Sequence, residues 1–148
     1  MLTKLLTLFT FAAVAAADFG LPAGSPFHIR SIQDQSLCAG YPSFAQGAPA
    51  IVIPCGAPTA TWIYPGDGHV FARQSSGQVF ALTPTQGSSS ITLVPPARDP
   101  NQIWTYNQPD RTLRTASGMC ATRINNRNVI AQPCRATDPT QAWIIARG

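Results

Sequence analysis

The sequence predicts an all-β domain assembled from three copies of one unit of about 40 residues. Three observations carry that reading. Tryptophans fall at positions 62, 104 and 143, spaced 42 and 39 residues apart. Cysteines keep the same period in the first and third copies, as Cys38 and Cys55, then Cys120 and Cys134. Finally, 14 prolines and 11 glycines among 148 residues interrupt any stretch that could become a long helix, yet are tolerable between short strands.

The chain opens with a segment of different character. Lys4 precedes an apolar run, Leu5 to Ala17, broken only by Thr7 and Thr10 and ending in Ala15-Ala16-Ala17. This is the pattern of a secretory signal peptide. It is shorter than the roughly 20 apolar residues that cross a bilayer. The expected organisation is a signal over residues 1–17, an N-terminal extension over 18–26, and the domain over 27–148. The expected product is secreted and extracellular, and no membrane partner is expected.

Each unit reads as strand, turn, strand, followed by two further strands. In the first, Phe27-His28-Ile29-Arg30 leads to a polar turn at Gln33-Asp34-Gln35 and returns through Leu37-Cys38. In the second, Val70-Phe71-Ala72-Arg73 turns at Ser75-Ser76-Gly77 and returns through Val79-Phe80-Ala81. In the third, Leu113-Arg114-Thr115 turns at Ala116-Ser117-Gly118 and returns through Met119-Cys120-Ala121. Glycine after small polar residues is a hairpin signal. Third strands follow at residues 50–53, 91–94 and 128–131, and the Trp segments make the fourth. A lone hairpin is marginal in water, so the three units are expected to share one core, with the tryptophans as its anchors.

The repeat phase pairs Cys38 with Cys55 and Cys120 with Cys134, one of the three connectivities that four cysteines allow. It places Phe80 and Pro96 at the corresponding positions of the middle unit. The cysteine spacings do not suit a zinc site, and His28 and His69 do not repair them, so neither metal nor cofactor is expected. Once Lys4 leaves with the signal, nine scattered arginines face six aspartates. That is a mildly basic chain without the concentrated basic face of a nucleic-acid binder. There is no glutamate, the aspartates sit in turns such as Asp67-Gly68 and Asp99-Pro100, and no paired acid and base stands out. No enzyme activity is expected.

The pattern resembles the ricin B-type lectin family. The residues that carry the resemblance are Gln102-Ile103-Trp104, Gln141-Ala142-Trp143, the Cys and Pro-Cys pairs of units one and three, and the three-fold period. The resemblance implies a β-trefoil and a carbohydrate-binding module with up to one shallow pocket per unit. In that family an aspartate lies two residues after the first cysteine, an aromatic lies near the third strand, and an asparagine precedes the Gln-x-Trp. Here the aspartate positions read Gly40, Leu82 and Thr122, the aromatic positions Ile53, Val94 and Gln132, and the asparagine positions Thr59, Asn101 and Thr140. The galactose-type pocket is incomplete in every unit.

The expectation is therefore a lectin-like module with a degenerate or unconventional sugar site. Tyr41 and Phe44, in a Pro- and Gly-bearing loop, are expected to be exposed and suited to stacking on a sugar face. Asn101 and Gln102 complete the candidate sugar-binding set. The Asn-rich segment Arg123-Ile124-Asn125-Asn126-Arg127-Asn128 is rich in donors, although a hairpin turn explains it without function. The alternative from another class is a protein-interaction module, such as a protease inhibitor acting through an exposed loop.

Overall fold

A computed structural model describes residues 19–148. The expected signal segment lies outside the described residues. Twelve strands form one curled sheet. Unit one contributes β1 (Ser25–Ser31), β2 (Leu37–Gly40), β3 (Ile51–Pro54) and β4 (Trp62–Tyr64). Unit two contributes β5 (Phe71–Arg73), β6 (Val79–Pro84), β7 (Ile91–Val94) and β8 (Trp104–Asn107). Unit three contributes β9 (Thr112–Thr115), β10 (Met119–Ile124), β11 (Asn128–Pro133) and β12 (Trp143–Arg147). The three-unit, four-strand plan is the one that the repeat predicts.

Two layers result. The first and fourth strands of each unit close a barrel. β1 pairs with both β4 and β12, β4 with β5, and β8 with β9. Single bonds close the remaining gaps: Trp104 N–H donates to Gly68 O and Trp143 N–H to Arg111 O, both at 2.8 Å. The hairpins β2–β3, β6–β7 and β10–β11 cap one end of the barrel. They are stitched into a triangle by Ala50 N–H to Ile91 O (2.8 Å), Val52 N–H to Arg127 O (3.0 Å) and Ala131 N–H to Ser89 O (2.8 Å). No hairpin has to stand alone, which answers the marginal stability of an isolated one.

The tryptophans are the anchors that the period implies. Trp62, Trp104 and Trp143 are fully buried. Each indole N–H donates at 2.9 Å to a carbonyl of its own unit's second strand: Ala39, Leu82 and Ala121. A buried donor is thus satisfied while a large ring fills the core. A short 3-10 turn precedes each tryptophan, with proline at its start. Asp99 and Asp138 cap two of these turns by accepting from the backbone N–H of Asn101 and Thr140.

These bonds correct the phase of the middle unit by one residue. Leu82, not Ala81, is the counterpart of Ala39 and Ala121 as indole acceptor. Ala81 faces Val94 across β6–β7 as Cys38 faces Ile53 and Cys120 faces Gln132. Ala81 and Pro96 therefore occupy the bridge positions. Phe80 lies one residue earlier and stacks on Phe44 with centroids 4.7 Å apart. The family's aspartate position in this unit is Thr83, not Leu82. The first-to-second-strand connection differs in length between units, as the pairs Arg30↔Cys38, Phe71↔Ala81 and Arg114↔Cys120 show. A shift of one residue is easily hidden where no cysteine marks the register.

Both predicted disulfides are present, Cys38–Cys55 and Cys120–Cys134, and no described cysteine is free. β1 starts at Ser25, and Phe19, in the segment expected to be an extension, is buried against Tyr64 (4.8 Å between centroids), Phe27 (5.8 Å) and Tyr106 (6.3 Å). Tyr64 and Tyr106 each lie two residues after a tryptophan, as does Ile145, so Phe19 packs where equivalent positions of the repeat converge.

Candidate functional site

The four sequence-predicted sugar residues do not meet. Tyr41 is not an exposed stacking ring: it is 4% exposed and packs edge-on against Trp62 at 5.2 Å. Its burial pushes the phenol pKa up. Phe44 is half-buried, because it stacks on Phe80 and holds the loop 41–47 to the second unit. Gln102 is buried and spent on the backbone, accepting from Ala97 N–H (2.7 Å) and donating to Pro95 O (3.0 Å). Gln141 repeats this with Arg135 N–H (2.7 Å) and Pro133 O (3.0 Å). The two glutamines tie the loop after each third strand to the turn before each tryptophan. Asn101 alone of the four presents a half-buried side chain to a cleft, with no hydrogen-bond partner for its carboxamide among the described residues.

Three shallow clefts repeat around the molecule, one per unit. The first is lined by Tyr41, Pro58, Thr61, Ile63 and Arg73 among others. The second is lined by Pro84, the turn Thr85–Ser88, Asn101, Met119 and Ala131. The third is lined by Gln33, Asp34, Arg123, Asn125, Asn126 and Thr140. In register, Tyr41, Pro84 and Arg123 are equivalent, each following the family's aspartate position. Pro58 belongs to the turn that carries Thr59, the counterpart of Asn101 and Thr140.

The aspartate positions themselves are closed. A Cβ at Gly40 would lie 2.5 Å from the Ile53 side chain and 2.6 Å from Thr59 O, so no side chain fits there. Thr83 and Thr122 are buried, and each hydroxyl donates within its strand, to Ala81 O (2.9 Å) and Cys120 O (3.0 Å). Thr122 also accepts from Gln141 Nε2 (3.1 Å).

The third cleft draws its lining from two units. Its floor is Arg123, on β10. The guanidinium donates through Nε to Asn125 O (2.9 Å), through Nη1 to Ser31 Oγ (3.1 Å) and Gln33 Oε1 (3.5 Å), and through Nη2 to Asn126 Oδ1. Asn125 and Asn126 sit at the tip of the β10–β11 hairpin, where Ile124 pairs with Asn128. Asn125 has φ of 56°, a left-handed conformation that asparagine tolerates better than most residues. The opposite wall is the β1–β2 turn. There Asp34 Oδ1 accepts from Ser36 N–H (3.1 Å) and Ser36 Oγ (2.6 Å). These bonds, with the nearby Arg123 charge, hold the Asp34 carboxyl below its usual pKa. The turn is held further by Arg30 Nη1 to Gln35 O (2.8 Å) and Cys55 N–H to Ser36 O (2.9 Å). The result is a polar cleft of about 600 Å³ with a carboxylate, a guanidinium and several amides, and no aromatic wall.

A model of the ricin-type β-trefoil lectin domain matches residues 25–143. The chain belongs to the ricin-type β-trefoil lectin family. The solved structures similar to this family member include the β-trefoil lectin of the Vibrio vulnificus hemolysin/cytolysin, with N-acetyl-D-lactosamine bound. It has 14% identity and a TM-score of 0.71, and the match covers 85% of this chain and 96% of that one. The C-half of the earthworm R-type lectin, in complex with GalNAc, has 14% identity and a TM-score of 0.59 over 84% of this chain and 99% of that one. A mosquitocidal holotoxin has 16% identity and a TM-score of 0.69; the match covers 86% of this chain but only 18% of the toxin. At such identities the likeness is one of fold. No curated protein matches the sequence. Among the described residues no group of three or more His, Cys, Asp or Glu side chains is placed to hold a metal ion, and no helix is long and apolar enough to cross a membrane.

The third cleft was only partly visible in the sequence. The Asn-rich turn is conspicuous in the sequence for its donors, whereas Asp34 has the look of an ordinary turn residue. The signal that it belongs with Arg123 is three-dimensional: 89 positions separate them, and the packing of the first unit against the third brings them to one cleft.

Proposed function

We propose that this lectin-family protein is a secreted carbohydrate-binding module that holds its sugar in the third-unit cleft, in place of the galactose-type pocket that its sequence has lost. The carrying observation is the lining of that cleft by Gln33, Asp34, Arg123, Asn125, Asn126 and Thr140. A sugar presents arrays of hydroxyls that both donate and accept. A carboxylate acceptor beside amides that do both is the matching set. Fixing such groups beforehand lowers the ordering cost of binding, and Asp34 and Arg123 are each held by several bonds. Secretion is supported by the composition of residues 1–17 and by two disulfides, which persist in oxidising compartments.

The test is a glycan array with the protein beginning at Asp18, followed by titration of the retained glycans against Asn125→Gly. Glycine keeps the left-handed backbone and removes the amide. Retention on the array, and a loss of at least tenfold in affinity for the variant, are expected. An inert array sinks the proposal and leaves the protein-interaction class in its place.

A further inference from the structure

We infer that Asp34, carried by the first unit, is the specificity-determining carboxylate of the third unit's cleft, and that it restricts the cleft to neutral, hydroxyl-rich sugars. The inference rests on reading that cleft as a sugar site.

The two charged groups of the cleft differ in what they have left to offer. A guanidinium has five N–H donors. All three nitrogens of Arg123 are already directed at acceptors, Nε at Asn125 O, Nη1 at Ser31 Oγ and Gln33 Oε1, and Nη2 at Asn126 Oδ1. The paired, parallel donation by which arginine grips a carboxylate or sulfate needs two free N–H groups on one edge. Arg123 does not have them, so it serves as a brace between the hairpin tip and the first unit. The Asp34 carboxylate is committed differently. Both bonds from Ser36 end on Oδ1. Oδ2 has no partner among the described residues, and the residue lines the cleft from an exposed turn.

A fixed carboxylate oxygen open to a polar cleft accepts from hydroxyl groups. It repels a second anion, and no free cationic fork offsets that repulsion. The Arg123 charge balances that of Asp34 over the cleft as a whole, so the discrimination acts at contact, where an acidic group set against Oδ2 is repelled. Gln33, Asn125, Asn126 and Thr140 complete a lining suited to uncharged polyols. The third unit's own position supplies no carboxylate, since it holds Thr122, buried and bonded to Gln141. The acceptor has in effect moved to the turn of the neighbouring unit.

The experiment compares wild type, Asp34→Asn and Asn125→Gly on an array carrying neutral oligosaccharides beside their uronate and sialylated counterparts. Wild type should retain neutral glycans and bind their acidic counterparts at least tenfold more weakly. Asp34→Asn should lose at least tenfold on the neutral glycans and narrow the gap to the acidic ones. Acidic glycans bound as well as, or better than, neutral ones would overturn the charge restriction. Asn125→Gly losing binding while Asp34→Asn keeps wild-type affinity and selectivity would leave the cleft standing and overturn the role of Asp34. Neutral glycans retained equally by all three proteins would place the sugar elsewhere and overturn both readings. An array inert to every glycan would do the same.

Discussion

Single residues decide how the Gln-x-Trp signature is to be understood. Gln102 and Gln141 look alike in sequence and are alike in structure, but as internal braces rather than ligand contacts. The motif was legible; the direction of its amide was not, because that depends on a loop returning from the third strand. Unit one has Ala60 at the same place and meets part of the need with backbone alone, Pro54 O accepting from Ala57 N–H at 3.0 Å. Unit three has no such substitute. Gln141→Leu should cost roughly 2–4 kcal/mol in denaturant unfolding, because it leaves the part-buried Arg135 N–H and Pro133 O without their partner, at about 1–3 kcal/mol for each group left unpaired. Asp138 contributes stability that is lost in acid. Its carboxylate accepts from Thr140 Oγ1 (2.6 Å), Thr140 N–H (2.9 Å) and Arg135 Nη2 (2.7 Å). Bonds from Thr140, then from Arg135, lower its pKa from 3.8 to about 2. Since the folded state favours the charged form, this stabilisation is complete above about pH 4 and fades as pH falls toward 2. Asp138→Ala should flatten the pH dependence of the melting temperature in that window and cost about 1 kcal/mol at neutral pH, as loss of a cap does.

At the scale of elements, the strands were legible because the repeat supplies three independent views of the same hairpin. Register was legible only where a cysteine marks it. The cysteines of units one and three fix their phase, and the unmarked middle unit lies one residue away from the phase that its sequence suggests. The bridges therefore report register, and the first has a second consequence. Cys55 N–H bonds to Ser36 O, and Ser36 clips Asp34. The disulfide thus anchors the turn that supplies the cleft's carboxylate. Replacing both Cys38 and Cys55 by alanine should lower stability by about 3 kcal/mol, the chain-entropy value for a loop of this size. It should also weaken glycan binding at the third cleft. The matched Cys120→Ala, Cys134→Ala protein should lose comparable stability. Its binding should be kept better, because the β10–β11 register keeps Asn125 and Asn126 in place through six residue pairs. Calorimetric melts and glycan titrations of the two proteins separate these effects; equal loss of binding in both would show that the first bridge does not support the turn.

The whole molecule is closed by a residue that belongs to no repeat. Periodicity reveals what recurs three times, so it could announce the tryptophans but not Phe19, which has no counterpart and sits in a segment of small and turn-forming residues. Its burial comes from geometry. A barrel of pseudo-equivalent units brings Tyr64, Tyr106 and Ile145 from equivalent positions, and their convergence leaves a place that no unit's own residues fill. Phe19 takes it, buried against Tyr64 and Tyr106, with Ile145 lining the adjacent cleft. Removing a buried aromatic ring leaves a cavity as well as a transfer loss. Phe19→Ala should therefore lower unfolding stability by roughly 3–5 kcal/mol, as large as the loss expected for Trp104→Ala, although it lies outside every repeat. Phe19→Leu should recover much of the loss, since it refills most of the volume without the ring. The third cleft is at the hairpin tips and the β1–β2 turn, so binding by the folded fraction should be unchanged. Urea melts of the three proteins, with glycan titration below the transition, test this. A near-neutral Phe19→Ala would mean that the barrel end is closed by its tyrosines alone and that residues 19–24 merely cover it.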